Sequence, residues 1–217
     1  MKKVLFLSLF LAAIFSVGTA ATAQELKPIK LPEPQLNIGK PLMEVFKARK
    51  SSRDFRSEMI SPQTLSNMLW AAWGINRPDS EKRTAPSARN KQEIDVYVAT
   101  AEGLFLYEAK THSLQRILSE DIRANTGTQE YVKNVPANLI YVADYSRMSE
   151  KDEADKLAWS YADTGFIAQN VYLYCASEGL AVVVRALIDR DKLAMIMKLR
   201  PEQKITLSQS VGMHQTK

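Results

Sequence analysis

The segment from Ala48 to Phe55 combines residue types that bind phosphate. It reads Ala-Arg-Lys-Ser-Ser-Arg-Asp-Phe, which places Arg49, Ser51 and Arg53 at alternate positions. In an extended backbone the three side chains share one face, and at a helix end the two arginines still meet at i,i+4. Guanidinium groups grip a phosphate monoester through paired, charge-assisted hydrogen bonds. The segment therefore predicts a phosphate contact, with a solvated basic surface run as the alternative.

A second polar constellation lies in residues 83–92, which read Arg-Thr-Ala-Pro-Ser-Ala-Arg-Asn-Lys-Gln. Asn90 and Gln92 are two residues apart just before a predicted strand, so an extended backbone would put both amides on one face. Each amide offers a donor and an acceptor. Such a pair suits a ring edge that alternates acceptors and donors, as the pyrimidine edge of a flavin does. An ordinary polar loop is the alternative.

The familiar nucleotide and hydrolase motifs do not occur in the sequence. None of the eight glycines has G-x-G spacing, which removes the dinucleotide fingerprint and the P-loop. There is no G-x-S-x-G elbow. The two histidines, His112 and His214, form neither a His-rich metal site nor an H-E-x-x-H motif, so we predict no metal. A phosphate bound by this chain would need side-chain arginines.

The first 23 residues have the pattern of a secretory signal peptide. Lys2 and Lys3 precede an apolar stretch over residues 4–17, and Ala21-Thr22-Ala23 supplies a small-x-small cleavage site. The apolar stretch is short for a membrane span, although an uncleaved anchor is the alternative. We expect cleavage after Ala23 and export, to the periplasm, of a chain with no membrane span. Removal of residues 1–23 takes two lysines and no acid, which leaves 194 residues with a formal charge of +3. That charge is too small to indicate nucleic acid.

The mature chain divides into an arm and one domain. Residues 24–40 carry three prolines and no apolar period, which predicts an extended arm. Residues 41–217 form the predicted domain. It begins with a short amphipathic helix over 41–50 that has Leu42, Val45 and Phe46 on one side. A helix capped by Ser61, with Pro62 at its first position, ends near Gly74 and leads into an irregular loop over 76–90.

Strands and helices are mixed in the rest of the domain, without strict alternation. Apolar patterns predict strands over residues 94–100, 103–109, 139–143, 180–184 and 204–211. The longest periodic segment, 152–178, is apolar on more than one face, which indicates a central helix or a dimer interface. Its Cys175, the only cysteine, excludes an intramolecular disulfide and reads as a buried inert thiol. A short helix capped by Asp189 runs to Leu199. The fold class is α+β.

Taken together, these motifs resemble the FMN-dependent nitroreductase family. The resemblance rests on Arg-x-Ser-x-Arg-x-Phe, a helix, and Pro-Ser-Ala-x-Asn-x-Gln before a strand, and it covers residues 42–212. The stretch 178–185 and Val211-Gly212 are similar to the family's Gly-Leu helix end and final strand. Residues 103–107 with Leu114 resemble the pattern of the SagB/ThcOx-type dehydrogenase-like branch. The resemblance implies a nitroreductase-like FMN-binding fold, with a central mostly antiparallel sheet flanked by helices and a long buried helix at a dimer interface.

The resemblance also implies a homodimer with FMN in two interface clefts. The implied contacts fall into four groups: Arg49, Ser51 and Arg53 at the phosphate and ribityl chain; Pro86, Ser87, Asn90 and Gln92 at the isoalloxazine ring; Arg185 and Ala186, by their backbone, near the flavin N5; and Lys217 at the phosphate. Arg89 stands where the family usually has glycine before the asparagine.

The implied function is that of an exported FMN-dependent oxidoreductase. We expect ping-pong hydride transfer through flavin N5 to or from a small organic substrate, such as a nitro compound or quinone, with NAD(P)H as a candidate donor. No catalytic side chain is assigned, because the cofactor carries the chemistry. One alternative is a SagB-like dehydrogenase that passes electrons to oxygen or a quinone. Another is a non-catalytic flavin-binding protein.

Overall fold

The computed structural model describes residues 27–215, which are built around a seven-stranded sheet. Its strands are β1 (Ile29–Lys30), β4 (Ile94–Thr100), β5 (Gly103–Glu108), β6 (Ser113–Leu118), β7 (Ala137–Asp144), β8 (Leu180–Arg185) and β9 (Gln203–Met213), and β2 (Ile75–Arg77) and β3 (Lys82–Arg83) form a separate hairpin. The order across the sheet is β1-β6-β5-β4-β7-β9-β8, and every neighbouring pair is antiparallel. The predicted α+β class with an antiparallel sheet is confirmed.

Four helices flank the sheet, and their ends follow cap chemistry. They are α1 (Leu42–Ala48), α2 (Pro62–Trp73), α3 (Glu153–Glu178) and α4 (Arg190–Met197). The Ser61 hydroxyl accepts the Thr64 N–H at 3.1 Å, as predicted for the start of α2. Gly179 ends α3 in the left-handed region, with φ +71°. Within residues 27–215, no helix is both long and apolar enough to cross a bilayer.

The sheet buries both of its faces, because its central strands carry apolar side chains on each of them. Val96 and Val98 of β4 face the core under α2 and α3, whereas Tyr97 and Ala99 face a second core under α4. Cys175 lies fully buried on α3, and burial raises the pKa of its thiol, as expected for an inert cysteine. This two-sided burial makes α3 a rigid support for the segments that approach it.

The structure differs from the predicted local structure in three places. Strand β6 was not predicted, because its Gln115 and Arg116 interrupt the apolar pattern. The loop over 76–90 contains the β2–β3 hairpin, which Arg83 ties to the helix by donating to the Trp73 carbonyl at 2.9 Å. In α1, Leu42 is 59% exposed and Phe46 is 47% exposed, so only Val45 of the predicted apolar side reaches the core.

A buried hydrogen-bond network ties the arm to the domain. His112 Nε2 donates to the Ser66 hydroxyl at 2.7 Å, and that hydroxyl donates to the Pro32 carbonyl at 2.5 Å. On the other side of the ring, Nδ1 accepts the Tyr107 hydroxyl at 2.9 Å. Together with the pairing of β1 and β6, this network fixes the arm to the domain, and Ile29 and Lys30 form an edge strand of the sheet.

Replacement of His112 by leucine is expected to lower the free energy of unfolding by about 2–3 kcal/mol, because it leaves the buried Ser66 and Tyr107 hydroxyls without their partner. Urea denaturation measures the loss, with Lys30→Ala at the exposed edge of the arm as the control. Burial lowers the pKa of His112. The network therefore contributes fully above the unfolded pKa of about 6.5, and its contribution falls as the pH drops below that value. Equal stability of the two variants would contradict this role.

Candidate functional site

The arginine segment is extended and is fixed by its backbone at one end of the sheet. Helix α1 ends at Ala48, and Arg49 has φ −56° and ψ 121°. The Ser52 N–H donates to the Val182 carbonyl at 2.8 Å, and the Arg56 N–H donates to the Met213 carbonyl at 3.0 Å. Of the two conformations considered from the sequence, the extended one is therefore observed.

Alternation along this segment brings Arg49 and Ser51 to the same side chain of α3. The Arg49 guanidinium carbon lies 5.4 Å from the centre of the Tyr172 ring, and the Ser51 hydroxyl lies 2.8 Å from the Tyr172 hydroxyl. The residue between them, Lys50, instead lines a cavity of about 330 Å³ that contains His214. Of the predicted convergence of Arg49, Ser51 and Arg53, the contacts with Tyr172 show that of Arg49 and Ser51.

Arg53 is exposed at the open end of the same segment. Among residues 27–215, neither Arg53 nor Arg49 forms an ion pair with a carboxylate. Two guanidinium groups without a described acidic partner, on either side of a hydroxyl, are suited to a phosphate dianion.

Tyr172 is a functional candidate that the sequence identified only as a packing residue. Its hydroxyl accepts the Val184 N–H at 2.9 Å, which leaves its own proton for the Ser51 hydroxyl. The side chain is 6% exposed, so the ring supports Arg49 from the core side. Only the tertiary contact with Ser51 distinguishes this tyrosine from its neighbours on α3.

The loop over 86–92 has a different backbone conformation from the predicted one. Arg89, Asn90 and Gln92 have φ values of +51°, +54° and +49°, so the loop is not extended as expected. Left-handed backbone is uncommon for residues other than glycine and is costly unless the surroundings fix it. The Gln92 amide nitrogen nevertheless donates to the Asn90 side-chain oxygen at 3.2 Å, so the two amides lie together although the backbone is not extended.

Three partners hold this loop in its left-handed conformation. The Ser87 hydroxyl accepts the Gln92 N–H at 3.0 Å, and Arg83 Nε donates to the Gln92 side-chain oxygen at 2.7 Å. Asp163 on α3 accepts the Ala88 N–H at 2.8 Å. Gln92 is therefore committed to bracing the loop, and the exposed side chains of Pro86 and Asn90 are the ones open to a ligand.

Arg89 is directed away from the rest of the loop. Its guanidinium carbon lies 5.1 Å from the centre of the Trp159 ring, and its NH1 group donates to the Glu150 carboxylate at 3.3 Å. The left-handed φ at this position explains why glycine would be accommodated without strain. In this chain, the contacts of the Arg89 side chain with Trp159 and Glu150 offset the energetic cost of a left-handed backbone at a residue other than glycine.

The remaining predicted residues lie elsewhere. The Arg185 side chain is 5% exposed and donates to the Thr126 carbonyl at 2.8 Å and to Asn138 at 2.9 Å. Burial lowers its pKa to about 10. Its guanidinium therefore braces the interior, while Ala186, the next residue, is exposed. Lys217 and the predicted signal segment 1–23 lie outside the described residues.

The two candidate segments contact opposite sides of α3 in one protomer. Ser51 contacts Tyr172, and Ala88 contacts Asp163, which precedes it by nine residues. Nine residues of α-helix correspond to about 14 Å along the axis and two and a half turns. No described hydrogen bond joins the segments to each other. A cavity of about 760 Å³ between α4 and the start of α3 contains neither of them.

Comparisons with known proteins agree with this architecture. The model of the Nitroreductase family matches residues 46–213. A protein of Methanocaldococcus jannaschii, provisionally described as a nitroreductase, is 28% identical over 169 residues, which cover 73% of this chain and 85% of that protein. A crystal structure from Ralstonia eutropha JMP134 with the same provisional description is 40% identical, covers 91% of this chain and 94% of its own, and has a TM-score of 0.84.

One further structural neighbour contains a ligand. It is a provisionally described nitroreductase from Desulfovibrio desulfuricans in complex with FMN, 18% identical over 82% of this chain and 88% of that chain, with a TM-score of 0.60. At that identity the likeness shows the fold alone. The family match over residues 46–213, together with the 40% identity to the Ralstonia protein, establishes that the chain belongs to the nitroreductase family.

Proposed function

We propose that this protein is an FMN-dependent oxidoreductase in which Arg49, Ser51 and Arg53 bind the flavin phosphate. The observation that carries the proposal is the extended segment on which the first two of these side chains converge at Tyr172 while Arg53 stays exposed. The FMN complex of the Desulfovibrio neighbour supports the choice of cofactor. Loop 86–92 would meet the ring through Pro86 and Asn90, with Ser87 and Gln92 holding the loop in shape.

The opposite placement of the two segments on α3 supports a homodimer. A flavin held by residues 49–53 of one protomer would meet loop 86–92 of a second copy. Helix α3 has an exposed stripe on which such a copy could pack, formed by Ala158, Ala162, Gly165, Phe166 and Gln169. Nothing lies within 4 Å of the position that a Gly165 side chain would take, so this stripe is open in one protomer. Packing of the stripe on its own copy would be a twofold, self-complementary contact.

In this proposal the side chains of the site bind FMN and orient it, and they take no part in the hydride transfer itself. FMN, when bound, supplies the hydride chemistry at its N5 atom. Arg49 and Arg53 would neutralise its phosphate, and Tyr172 holds the intervening serine in register. The backbone after β8, at Arg185 and Ala186, would approach the flavin, and the buried Arg185 side chain keeps that strand end in place. A donor such as NAD(P)H and then an acceptor would use one cleft in turn.

A SagB-like dehydrogenase is the second candidate, and β5 and β6 favour it. Tyr107 on β5 pairs directly with Leu114 on β6, so the two ends of that sequence pattern belong to one structural unit. Such an enzyme would oxidise an organic substrate and pass the electrons to oxygen or a quinone. A protein that binds FMN without turnover is the third candidate.

Absorption spectroscopy of the purified protein separates these candidates. A flavin spectrum that bleaches with NADH or NADPH under anaerobic conditions, and returns with a quinone or a nitroarene, is the expected result. Bleaching by organic donors alone would select the dehydrogenase, and a bound flavin that no donor reduces would select the binding protein. Absence of FMN after reconstitution would refute the proposed function. Sedimentation of the flavin-loaded protein tests the dimer, since a monomer with bound FMN would exclude a shared cleft.

Export to the periplasm is part of the proposal. Its support is the charged start, apolar stretch and small-x-small site within residues 1–23. The intact mass of protein recovered from the periplasm should correspond to a chain that begins at Gln24. Recovery of only the full-length chain, in the cytoplasm, would contradict export.

A further inference from the structure

Two buried carboxyl groups lie beside loop 86–92: that of Glu93, the residue directly after the loop, and that of Asp163 on α3. Glu93 is 0% exposed and Asp163 is 3% exposed. Neither side-chain oxygen of Glu93 has a hydrogen-bond partner among residues 27–215, and the Asp163 carboxyl is the neighbouring group that raises the pKa of Glu93, by its charge and by a hydrogen bond. Two ionised carboxylates are both acceptors and cannot bond to each other, whereas one proton makes them donor and acceptor. The geometry is therefore satisfied when the pair shares a proton.

The charged groups around Glu93 do not replace that proton. Asp163 faces it from α3, and Arg147 faces it from the 3-10 turn Tyr145–Arg147. The Arg147 guanidinium already donates to the Asp95 carboxylate at 2.8 Å and to the Gln92 carbonyl at 3.0 Å. Burial, with a further contribution from the Asp163 charge, raises the pKa of Glu93 to about 7.

This carboxyl pair is connected to the left-handed loop. Asp163 accepts the Ala88 N–H at 2.8 Å, one residue before the first left-handed position. At the other end of the loop, the Glu93 carbonyl accepts the Asp144 N–H at 2.9 Å, which fixes Glu93 to β7. A strained backbone persists only where its surroundings over-determine it. The shared proton closes a bridge from β7, through both carboxyl groups, to the middle of the loop.

We propose that Glu93 is a positioning residue, which shares one proton with Asp163 and thereby keeps loop 86–92 in its ligand-binding shape. Loss of that proton breaks the bond between the two carboxyl groups and places two negative charges together in a buried site, so repulsion separates them and the Ala88 N–H is no longer tied to β7 through Asp163 and Glu93. The loop is held below about pH 7 and loosens above it. The consequence for flavin rests on the proposed function, but the effect on the loop does not.

Hydrogen exchange tests the proposal without any flavin. Between pH 6 and pH 8, peptides that cover residues 84–92 of the wild-type protein should lose about tenfold in protection factor, one decade for one proton above its pKa. Glu93→Gln keeps a neutral donor toward Asp163 and should hold a constant protection factor. Asp163→Asn removes the second charge but keeps a side-chain oxygen that can accept the Ala88 N–H. Its protection factor should also stay constant between pH 6 and pH 8. The exposed Glu120→Gln variant is the control and should behave like the wild type. Equal pH profiles in the wild type and Glu93→Gln would overturn the proposal.

Flavin binding gives the second measurement. The dissociation constant of FMN should rise about tenfold more in the wild type than in Glu93→Gln over the same pH range. Titration of the FMN phosphate affects both proteins equally and cancels in the ratio. A ratio that stays at one, in protein that binds FMN, would refute the role of Glu93 at this site. Protein that binds no FMN at any pH would refute the proposed function, while the exchange result would still decide the role of Glu93.

Discussion

The double substitution Arg49→Ala, Arg53→Ala is expected to abolish flavin that copurifies with the protein. Each guanidinium contributes about 1.5–3 kcal/mol through charge-assisted bonds to a phosphate, so their combined loss corresponds to a factor of roughly 10²–10⁴ in the dissociation constant. The FMN content per protomer after purification, and titration of the apoprotein with FMN, measure the effect.

Two further variants make this test specific for the paired side chains. In Arg56→Ala, the lost guanidinium already pairs with Glu58 at 3.6 Å, so flavin content should stay near that of the wild type. The double variant Arg49→Lys, Arg53→Lys keeps both positive charges but loses the bidentate guanidinium groups. We expect it to bind FMN with an affinity between those of the wild type and the double alanine variant. Unchanged flavin in the double alanine variant would remove this segment from the site.

The substitution Arg185→Met is expected to destabilise the fold by about 2–4 kcal/mol. The buried guanidinium donates to the Thr126 carbonyl, to the Asn138 side chain and to the Ser210 hydroxyl at 3.1 Å. Hydrogen bonds from a charged donor contribute about 1.5–3 kcal/mol each. The net loss is smaller than their sum, because Ser208 and Ser210 still donate to two of the acceptors and because burial of the charge is itself costly.

Urea denaturation gives this free energy, with the exposed Arg77→Ala as a control that should change stability by less than about 0.5 kcal/mol. Arg185→Lys should lose nearly as much as the methionine variant, since one ammonium group cannot span three acceptors. Gly127→Ala should also lower the free energy of unfolding, because the added Cβ atom would lie 1.9 Å from the Arg185 NH1 atom and displace the guanidinium. Wild-type stability in Arg185→Met would mean that the cost of burying the cation fully offsets its bonds.

Local sequence signals predicted most of the elements, for physical reasons that act over a few residues. Ser61 and Gly179 satisfy helix ends with their own side chain or conformation, so α2 and α3 could be located closely. Strand β6 escaped prediction because Gln115 and Arg116 interrupt its apolar pattern, and the β2–β3 hairpin did so because its two short strands are mostly polar. The prediction that Leu42 and Phe46 of α1 face the core was wrong, because apolar spacing alone does not show which side of a helix is covered by a neighbouring element.

The sequence by itself determined the candidate segments, Arg-x-Ser-x-Arg and the amide-bearing loop, and the membership of the nitroreductase family that the family match confirmed. Spacing sufficed there because alternation along a chain is a local property of the backbone. Tertiary structure alone decided that Tyr172 contacts Ser51, that Asp163 accepts the Ala88 N–H beside the buried Glu93, and that the two segments lie on opposite sides of α3. These are contacts between residues distant in sequence, and only the packing of α3 against the sheet sets them.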